Sequence, residues 1–198
     1  MRTRFEVLVV CTANVSRSPM AVALLRHRLT ERFGEQASAV RVTSAGTSAL
    51  VGEPVDPEVP AVLSAVLGPV ARSVAAPEAA RQVDTHLVGA ADLVLTMTRE
   101  QRGAVIGLVP AAQRKTFTVV ELARIARMLG QERRLPSSAS AAAGLKALVA
   151  AAPAWRGPTA PADPATDDVE DVHRARREVQ VKAARRLDEA LTAVVGVL

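Results

Sequence analysis

A cysteine and an arginine stand six residues apart near the beginning of the sequence, and a helix-start signal follows them directly. Cys11 comes after the apolar run 6–10, and Arg17 comes just before Ser18 and Pro19. Backbone N–H groups in a tight loop form a concavity that binds anions, and the positive end of a helix dipole strengthens it. Arg17 can donate two hydrogen bonds to one oxyanion, and the positive field favours the nucleophilic thiolate form of Cys11. The spacing therefore predicts an oxyanion site that carries a nucleophile.

The same residues also have a simpler interpretation. A free cysteine is most often a small, inert side chain in the core, and a Cys–Arg pair at this spacing is a weak signal by itself. The position of the pair on a strand–loop–helix turn favours the anion site. A Walker-type nucleotide loop is excluded, because the sequence Gly-Lys-Ser/Thr does not occur in the chain.

The composition argues against several other kinds of site and partner. One cysteine cannot form an intramolecular disulfide or a Cys-rich zinc site, and the three histidines, His27, His86 and His173, are scattered. We therefore expect no metal and no cofactor. The chain has three Phe, one Trp and no Tyr to stack on bases, so we expect no nucleic-acid partner. The Ala-rich stretch 139–154 is interrupted by Lys146 and falls short of a membrane span, which predicts a cytoplasmic protein with no membrane partner.

Strands alternate with helices along most of the chain. Apolar runs predict strands at 6–10, 40–46, 92–97 and 115–120. Start signals and apolar spacing predict helices at 18–34, from the loop after Pro57 to about 68, from a capping box at 98–101, from about 121, at about 141–151 and at 174–195.

This alternation predicts the α/β fold class: a single doubly wound domain over residues 1–198, with a four-stranded parallel sheet flanked by helices. An extended Ala/Pro-rich segment at about 127–165 interrupts the rhythm, and we expect a short helix followed by a mobile loop there. Ligands of such sheets bind at the carboxyl ends of the strands, which is where Cys11 lies.

The segment 10–21, VCTANVSRSPMA, resembles the signature loop of the low-molecular-weight protein-tyrosine phosphatases. The similarity covers nearly the whole chain except 127–165, which is longer than the family core, and it continues through 43–47, 52–54, 80–82 and 92–97. The resemblance implies a phosphomonoester hydrolase, most often a protein-tyrosine phosphatase, whose partner is a phosphorylated protein or a small aryl phosphate.

The resemblance also implies a role for individual residues. Cys11 would attack the phosphorus and form a phosphocysteine, Arg17 would hold the phosphoryl oxygens, and Ser18 would steady the thiolate. Asn14 and Ser44 would brace the loop. The residues expected to bind the substrate are those of the loop: Thr12, Ala13, Asn14, Val15, Ser16, Arg17 and Ser18.

The family uses an aspartate, usually in an Asp-Pro-Tyr sequence before the last helix, to protonate the leaving oxygen and then to activate water. Asp163 precedes a proline but lies far upstream of the final helix. Asp171 lacks the Pro and Tyr but lies at the family's distance from that helix. We predict Asp171 as the general acid, with Asp163, Asp167 and Asp168 as the alternatives.

The chain departs from the family at the rim of the expected site. Val172 and His173 stand where the family has Pro and Tyr, and aliphatic residues at 49–51 replace another frequent aromatic. These changes reduce the expected selectivity for an aromatic ring. Ser16 stands where many members have a second cysteine, so Cys11 has no partner for an internal disulfide.

Two other functions fit the sequence. An arsenate reductase that uses an external small thiol would need the same loop and no second cysteine in the chain. A non-catalytic module that binds phosphate or a phosphoprotein would need the loop but no aspartate, and the incomplete Asp-Pro-Tyr sequence motivates this alternative.

Overall fold

Four parallel strands form the sheet that carries the loop. The computed structural model describes residues 4–68, 79–136 and 138–198. The strands are β1 (Phe5–Cys11), β2 (Val40–Gly46), β3 (Leu93–Thr96) and β4 (Thr116–Thr118), in the spatial order β2-β1-β3-β4. All pairings are parallel, so the order reverses at β1 and the carboxyl end of β1 is the switch point at which such sheets bind ligands.

Helices cover both faces of this sheet. In the described residues they are α1 (Arg17–Phe33), α2 (Val59–Leu67), α3 (Thr85–Ala90), α4 (Arg99–Leu108), α5 (Val119–Gln131), α6 (Ala141–Ala151) and α7 (Arg177–Gly196). The larger core cluster joins the sheet to α1, α2, α5, α6 and α7, and the smaller one joins it to α3 and α4. The predicted doubly wound α/β fold with a four-stranded parallel sheet is confirmed.

The strand period of two decides which way Cys11 points. Val7, Val9 and Cys11 belong to the larger core cluster, whereas Leu8 and Val10 belong to the smaller one. Alternate residues of a strand face opposite sides of the sheet, so β1 is apolar throughout because both of its faces are covered. The Cys11 side chain consequently lies on the side of α1.

The beginning of α1 differs from the prediction. The helix begins at Arg17 with Ser16 as its N-cap, and the Ser16 side chain makes no capping hydrogen bond. Ser18 is inside the first turn and fully buried. The first-turn N–H groups have no acceptor within a helix, so Pro19 fits there without loss, and the hydroxyl of Ser18 is left to contact Cys11.

Two other boundaries were predicted wrongly. Strand β4 is shorter than the predicted 115–120, because a capping box between Thr118 and Glu121 starts α5 at Val119. The last helix begins at Arg177 rather than at 174, since Arg174 has a positive φ of 60° and cannot continue a right-handed helix. Helix α3 was not predicted; its sequence signal is Asp84, whose side chain accepts a hydrogen bond from the Leu87 N–H.

The segment after α5 contains the predicted helix at Ala141–Ala151. Two short 3-10 helices follow it, at Ala152–Trp155 and Pro164–Asp167, in the part for which the sequence predicts a mobile loop. Trp155 packs against the large core. Within the described parts of the chain, no helix is both long enough and apolar enough to cross a bilayer.

Candidate active site

The loop between β1 and α1 turns sharply around Cys11. Strand β1 ends at Cys11 and α1 begins at Arg17, so five residues make the turn. Asn14 has a positive φ of 60°, a conformation that Asn tolerates better than most residues. Its side chain holds the turn from within, because its Nδ2 donates to Ser18 Oγ at 2.9 Å and its Oδ1 accepts from the Arg81 N–H at 3.0 Å.

The carbonyl groups of this loop are bound on its outer side by the segment after β2. Four of them each accept a backbone hydrogen bond of 2.8–3.1 Å: Cys11 from Thr47, Thr12 from Ser48, Ala13 from Leu50 and Val15 from Asp56. A peptide whose carbonyl is held outward presents its N–H to the opposite side. The loop N–H groups are therefore directed inward, which is the arrangement of an anion-binding concavity.

The first turn of α1 adds to this concavity. The Asn14 N–H contacts Cys11 Sγ, and the N–H groups of Ala13, Val15 and Ser16 have no acceptor in the described parts of the chain. The N-terminal amides of α1 follow directly, with the positive end of the helix dipole. These groups can together hold the oxygens of a phosphoryl group, as the sequence predicted for this turn.

Two possible hydrogen-bond donors lie close to the sulfur of Cys11. Its Sγ lies 3.0 Å from Ser18 Oγ and 3.3 Å from the Asn14 N–H. Because Asn14 Nδ2 already donates to Ser18 Oγ, the Ser18 hydroxyl is free to donate its own proton to the sulfur. The sulfur thus contacts two possible donors inside the loop, and the Cys11 residue as a whole is only 2% exposed.

The Arg17 guanidinium joins the loop to a segment more than 150 residues away in the sequence. Arg17 as a whole is 3% exposed, and its Nη1 donates to the Val169 carbonyl at 3.1 Å. Its Nη2 donates to Thr12 Oγ1 at 3.3 Å and lies 2.8 Å from Asp171 Oδ2. The predicted anion-binding arginine is thus in direct contact with the predicted general acid.

Three of the four candidate aspartates have other partners. Asp163 caps its own short helix and accepts from the Ala165 N–H. Asp167 is buried and ion-paired with Arg124 at 2.7 Å. Asp168 is paired with Arg99 at 3.0 Å. Among these four, Asp171 is the one that contacts Arg17.

Asp168 is also held in its ionised form by Arg99. Burial opposes ionisation, but hydrogen bonds from the Arg99 side chain and backbone outweigh it and hold the pKa of the Asp168 carboxyl below its ordinary value. Asp168 is therefore engaged by Arg99 and makes no contact with Arg17 in the described residues.

Asp171 combines an exposed carboxylate with a fixed backbone. Its side chain is 59% exposed, whereas the flanking Val169 and Val172 are buried in the large core. The Val169 N–H donates to the Met97 carbonyl at 2.8 Å, and the His173 N–H donates to Asp171 Oδ1 at 3.0 Å. Val172, in place of the family's proline, therefore anchors this segment by its apolar side chain.

Gln101 is a site residue that the sequence analysis missed. Its Oε1 accepts from the N–H groups of Met97 and Thr98, and this fixes its Nε2 as the donor to Thr12 Oγ1 at 3.0 Å. Thr12 Oγ1 thus accepts hydrogen bonds from both Gln101 and Arg17. The sequence explained Gln101 fully as part of a capping box, so nothing in it pointed to this second contact.

Arg81 and Gly46 also support the loop without having been predicted to do so. The Arg81 Nε donates to the Ser44 carbonyl at 2.7 Å and its N–H holds Asn14. Ser44 itself is buried at 8% exposure, and bracing of the loop by its hydroxyl stays a prediction. A Cβ on Gly46 would lie 2.3 Å from the Thr12 carbonyl oxygen, so the loop can approach β2 because this residue has no side chain.

A family model gives these residues their context. The model described as low molecular weight phosphotyrosine protein phosphatase matches residues 6–128, which is more than half of the chain and includes the loop. The chain belongs to this family. The resemblance seen in the loop sequence is thereby confirmed, and the protein is a cysteine-dependent phosphatase.

Curated relatives support the assignment. The probable low molecular weight protein-tyrosine-phosphatase EpsP of Ralstonia nicotianae is 35% identical over 59% of this chain and 71% of its own length. The phosphatase Wzb of Salmonella typhi is 36% identical over 57% and 66% of the two chains. A protein-arginine-phosphatase of Geobacillus stearothermophilus is 31% identical over 58% and 69%.

Solved structures share the fold. The low molecular weight phosphotyrosine phosphatase of Vibrio cholerae O395 superposes with a TM-score of 0.66 at 20% identity and covers 97% of this chain and 95% of its own. Vibrio vulnificus Wzb, solved in complex with benzylphosphonate, gives 0.63 at 23% identity over 98% and 99%.

Replacement of Gly46 tests the support of the phosphatase loop. We expect Gly46→Ala to lower the free energy of unfolding by about 1–3 kcal/mol, because the new methyl group meets the Thr12 carbonyl. Displacement of the loop should also lower kcat/KM for 4-nitrophenyl phosphate by about tenfold or more. Urea unfolding and steady-state kinetics measure both effects.

The matched control is Gly103→Ala in α4, where a Cβ meets nothing within 4 Å. This variant should be as stable as the parent or more stable by up to about 1 kcal/mol, with unchanged turnover. Equal behaviour of the two variants would contradict the role given to Gly46.

Proposed function

We propose that the protein removes phosphate from a phosphorylated side chain of a protein in two steps, with Cys11 as nucleophile, Arg17 as phosphoryl ligand and Asp171 as general acid and base. The observation that carries this proposal is the position of the Arg17 guanidinium. It contacts the loop at Thr12 and the carboxylate of Asp171 through the same nitrogen. A phosphoryl group bound by Arg17 therefore lies within reach of groups from both segments.

In the first step the Cys11 thiolate attacks the phosphorus. The phosphorus–oxygen bond to the side chain breaks, and the leaving oxygen takes the proton of the Asp171 carboxyl. The loop N–H groups and Arg17 stabilise the charge on the remaining phosphoryl oxygens. The products are the free hydroxyl of the substrate and a phosphocysteine.

In the second step the Asp171 carboxylate takes a proton from a water molecule. The oxygen of that water attacks the phosphorus, the phosphorus–sulfur bond breaks, and inorganic phosphate leaves. Ser18 and the Asn14 N–H, which contact Sγ, stabilise the thiolate that is released. The enzyme returns to its starting state without any cofactor taking part.

Replacement of the nucleophile tests the covalent step. Cys11→Ser should lower turnover of 4-nitrophenyl phosphate by about a thousandfold or more, since a serine hydroxyl has no activating base in this loop. Rapid quenching of the parent enzyme during turnover of a ³²P-labelled substrate should trap a labelled protein that carries phosphocysteine. The serine variant should give no phosphorus–sulfur adduct. A variant with parental turnover would rule out Cys11 as the nucleophile.

Replacement of Asp171 tests the general acid. Asp171→Asn should lower kcat/KM for phenyl phosphate by about a hundredfold, and the loss should be smaller for 4-nitrophenyl phosphate, because 4-nitrophenolate leaves without much help from a proton. Asp163→Asn is the matched control, since Asp163 is exposed and caps only its own turn. The assignment fails if phenyl phosphate is hydrolysed normally by the Asp171 variant or if the Asp163 variant shows the loss instead.

For the substrate, we propose phosphotyrosine in a protein, bound with little selectivity for its ring. Every aromatic ring of Phe and Trp in the chain is packed against the core: Phe5, Phe33, Phe117 and Trp155. The exposed residues next to the loop are aliphatic. The backbone N–H of Leu50 donates to the Ala13 carbonyl; Leu50 is 41% exposed, and Val51, which follows it, is 69% exposed. An aromatic substrate therefore meets alkyl groups rather than a stacking partner.

Two phosphonate inhibitors measure this selectivity in binding alone, because a phosphonate has no leaving group and is not hydrolysed. We expect benzylphosphonate and cyclohexylmethylphosphonate to inhibit with constants within about threefold of each other, because the aromatic stacking that would separate them further is absent. His173→Tyr should increase the preference for the benzyl compound. A parental preference of tenfold or more for the benzyl compound would contradict the proposed rim.

A further inference from the structure

The segment that carries Asp171 is reached only after a long excursion of the chain. The family model matches residues up to 128, within α5, and Asp171 stands 43 residues later. The described residues of this excursion include α6 and two 3-10 helices. The position of Asp171 therefore depends on the contacts of a segment that lies beyond the part matched to the family.

The excursion is fastened first at the beginning of α5. Glu121 has a side chain only 5% exposed and pairs with Arg102 at 2.6 Å and with Arg156 at 3.4 Å. Arg156 also lies over the ring of Phe117 at 4.2 Å and donates to the Thr116 carbonyl. Burial lowers the pKa of the Arg156 guanidinium, although not enough to remove its charge at neutral pH. These contacts hold the turn after α6 against β4.

The next fastening is Arg124, one turn further along α5. Its Nη1 donates to the carbonyl and the hydroxyl of Thr159, the latter at 2.8 Å. Its Nη2 donates to Asp167 Oδ2 at 2.7 Å. One guanidinium therefore binds both ends of the stretch 159–167 to helix α5. The Thr159 hydroxyl in turn donates to the Trp155 carbonyl at 2.6 Å.

Asp167 is four residues before Asp171, and the intervening chain continues the pattern. Asp168 is bound to the backbone and side chain of Arg99 at the start of α4, and Val169 is bound to Met97 and Arg17. Asp171 then meets Arg17. The stretch 168–176 contains no helix or strand, so these side-chain and backbone contacts fix its course.

We propose that Arg124 is a positioning residue for the reaction: by holding Asp167 and Thr159 it sets the place of the Asp171 carboxylate relative to Arg17. This inference rests on the proposed role of Asp171. Arg124 touches neither the loop nor Asp171, so it acts through the backbone of 167–171. A displacement of about 1 Å in a catalytic group can cost about a hundredfold in rate.

The experiment replaces Arg124 by methionine, which keeps most of the length of the side chain and removes its donors. We expect kcat/KM to fall about tenfold or more for phenyl phosphate and less than about threefold for 4-nitrophenyl phosphate, the signature of a weakened general acid. The inhibition constant of inorganic phosphate should stay unchanged, because the loop and Arg17 are intact.

The chain offers a matched control in Arg28. Its guanidinium pairs with Asp188 at 2.6 Å and is 21% exposed, against 2.7 Å and 23% for Arg124 with Asp167, but it joins α1 to α7. Arg28→Met should lower the melting temperature to a similar extent and leave the ratio of the two substrates unchanged. A merely structural role of Arg124 would give the same unchanged ratio, and that result would overturn the proposal.

A double variant separates this proposal from the proposed function. In an Asp171→Asn background, Arg124→Met should cost almost nothing further in kcat/KM for phenyl phosphate, because the group that it positions is already inactive. Full additivity would overturn the positioning role. If Asp171→Asn itself leaves the substrate ratio unchanged, the proposed general acid fails instead.

A second variant covers the case in which Arg124→Met does not fold. Asp167→Asn retains an acceptor for Arg124 and the contacts to Thr159, and it removes only the charge of the pair. We expect the same change of substrate ratio in a smaller degree. A folded Asp167→Asn enzyme whose double cycle with Asp171→Asn shows no coupling would contradict the proposal.

Discussion

The contact between one buried guanidinium and two distant segments is the constraint on which the site depends. Arg17 is placed by the loop after β1, yet two of its five N–H donors point to Val169 and Asp171. A buried arginine without partners would cost several kcal/mol, so the segment around 169 is as necessary for the arginine as the arginine is for that segment. The loop after β1 and the segment that carries Asp171 therefore take up their positions together.

The sheet supplies the rigid part of this arrangement. The carboxyl ends of β1, β2 and β3 lie side by side, and each contributes a different support. Strand β1 ends in Cys11, the chain after β2 binds the outer carbonyls of the loop, and the chain after β3 provides Gln101 and the backbone that receives Val169. Functional groups that must hold their geometry to a fraction of an ångström are best placed on such elements.

Local patterns predicted the parts of the site that are local in sequence. The apolar run of β1, the loop and the start signal of α1 follow one another directly in the sequence, and their interactions are those within a single strand–loop–helix turn. Ser18 shows the limit, because a serine before a proline looks like an N-cap, whereas here its hydroxyl serves the sulfur. Gln101 binds Thr12 across 89 positions, and Arg124 binds Asp167 across 43. Contacts of this kind depend on how elements pack, and no periodicity or spacing encodes them.

The pairing of Arg17 with Asp171 gives the resting site a competitor of its own. An incoming anion must offer the guanidinium more than an exposed carboxylate already does, and a singly charged ion such as chloride offers less. A phosphate monoester dianion has two charges and several oxygens to distribute between the guanidinium and the loop amides. The intramolecular carboxylate is thus a charge that an incoming anion must outcompete, and a dianion with several oxygens is better suited to do so than a monovalent ion.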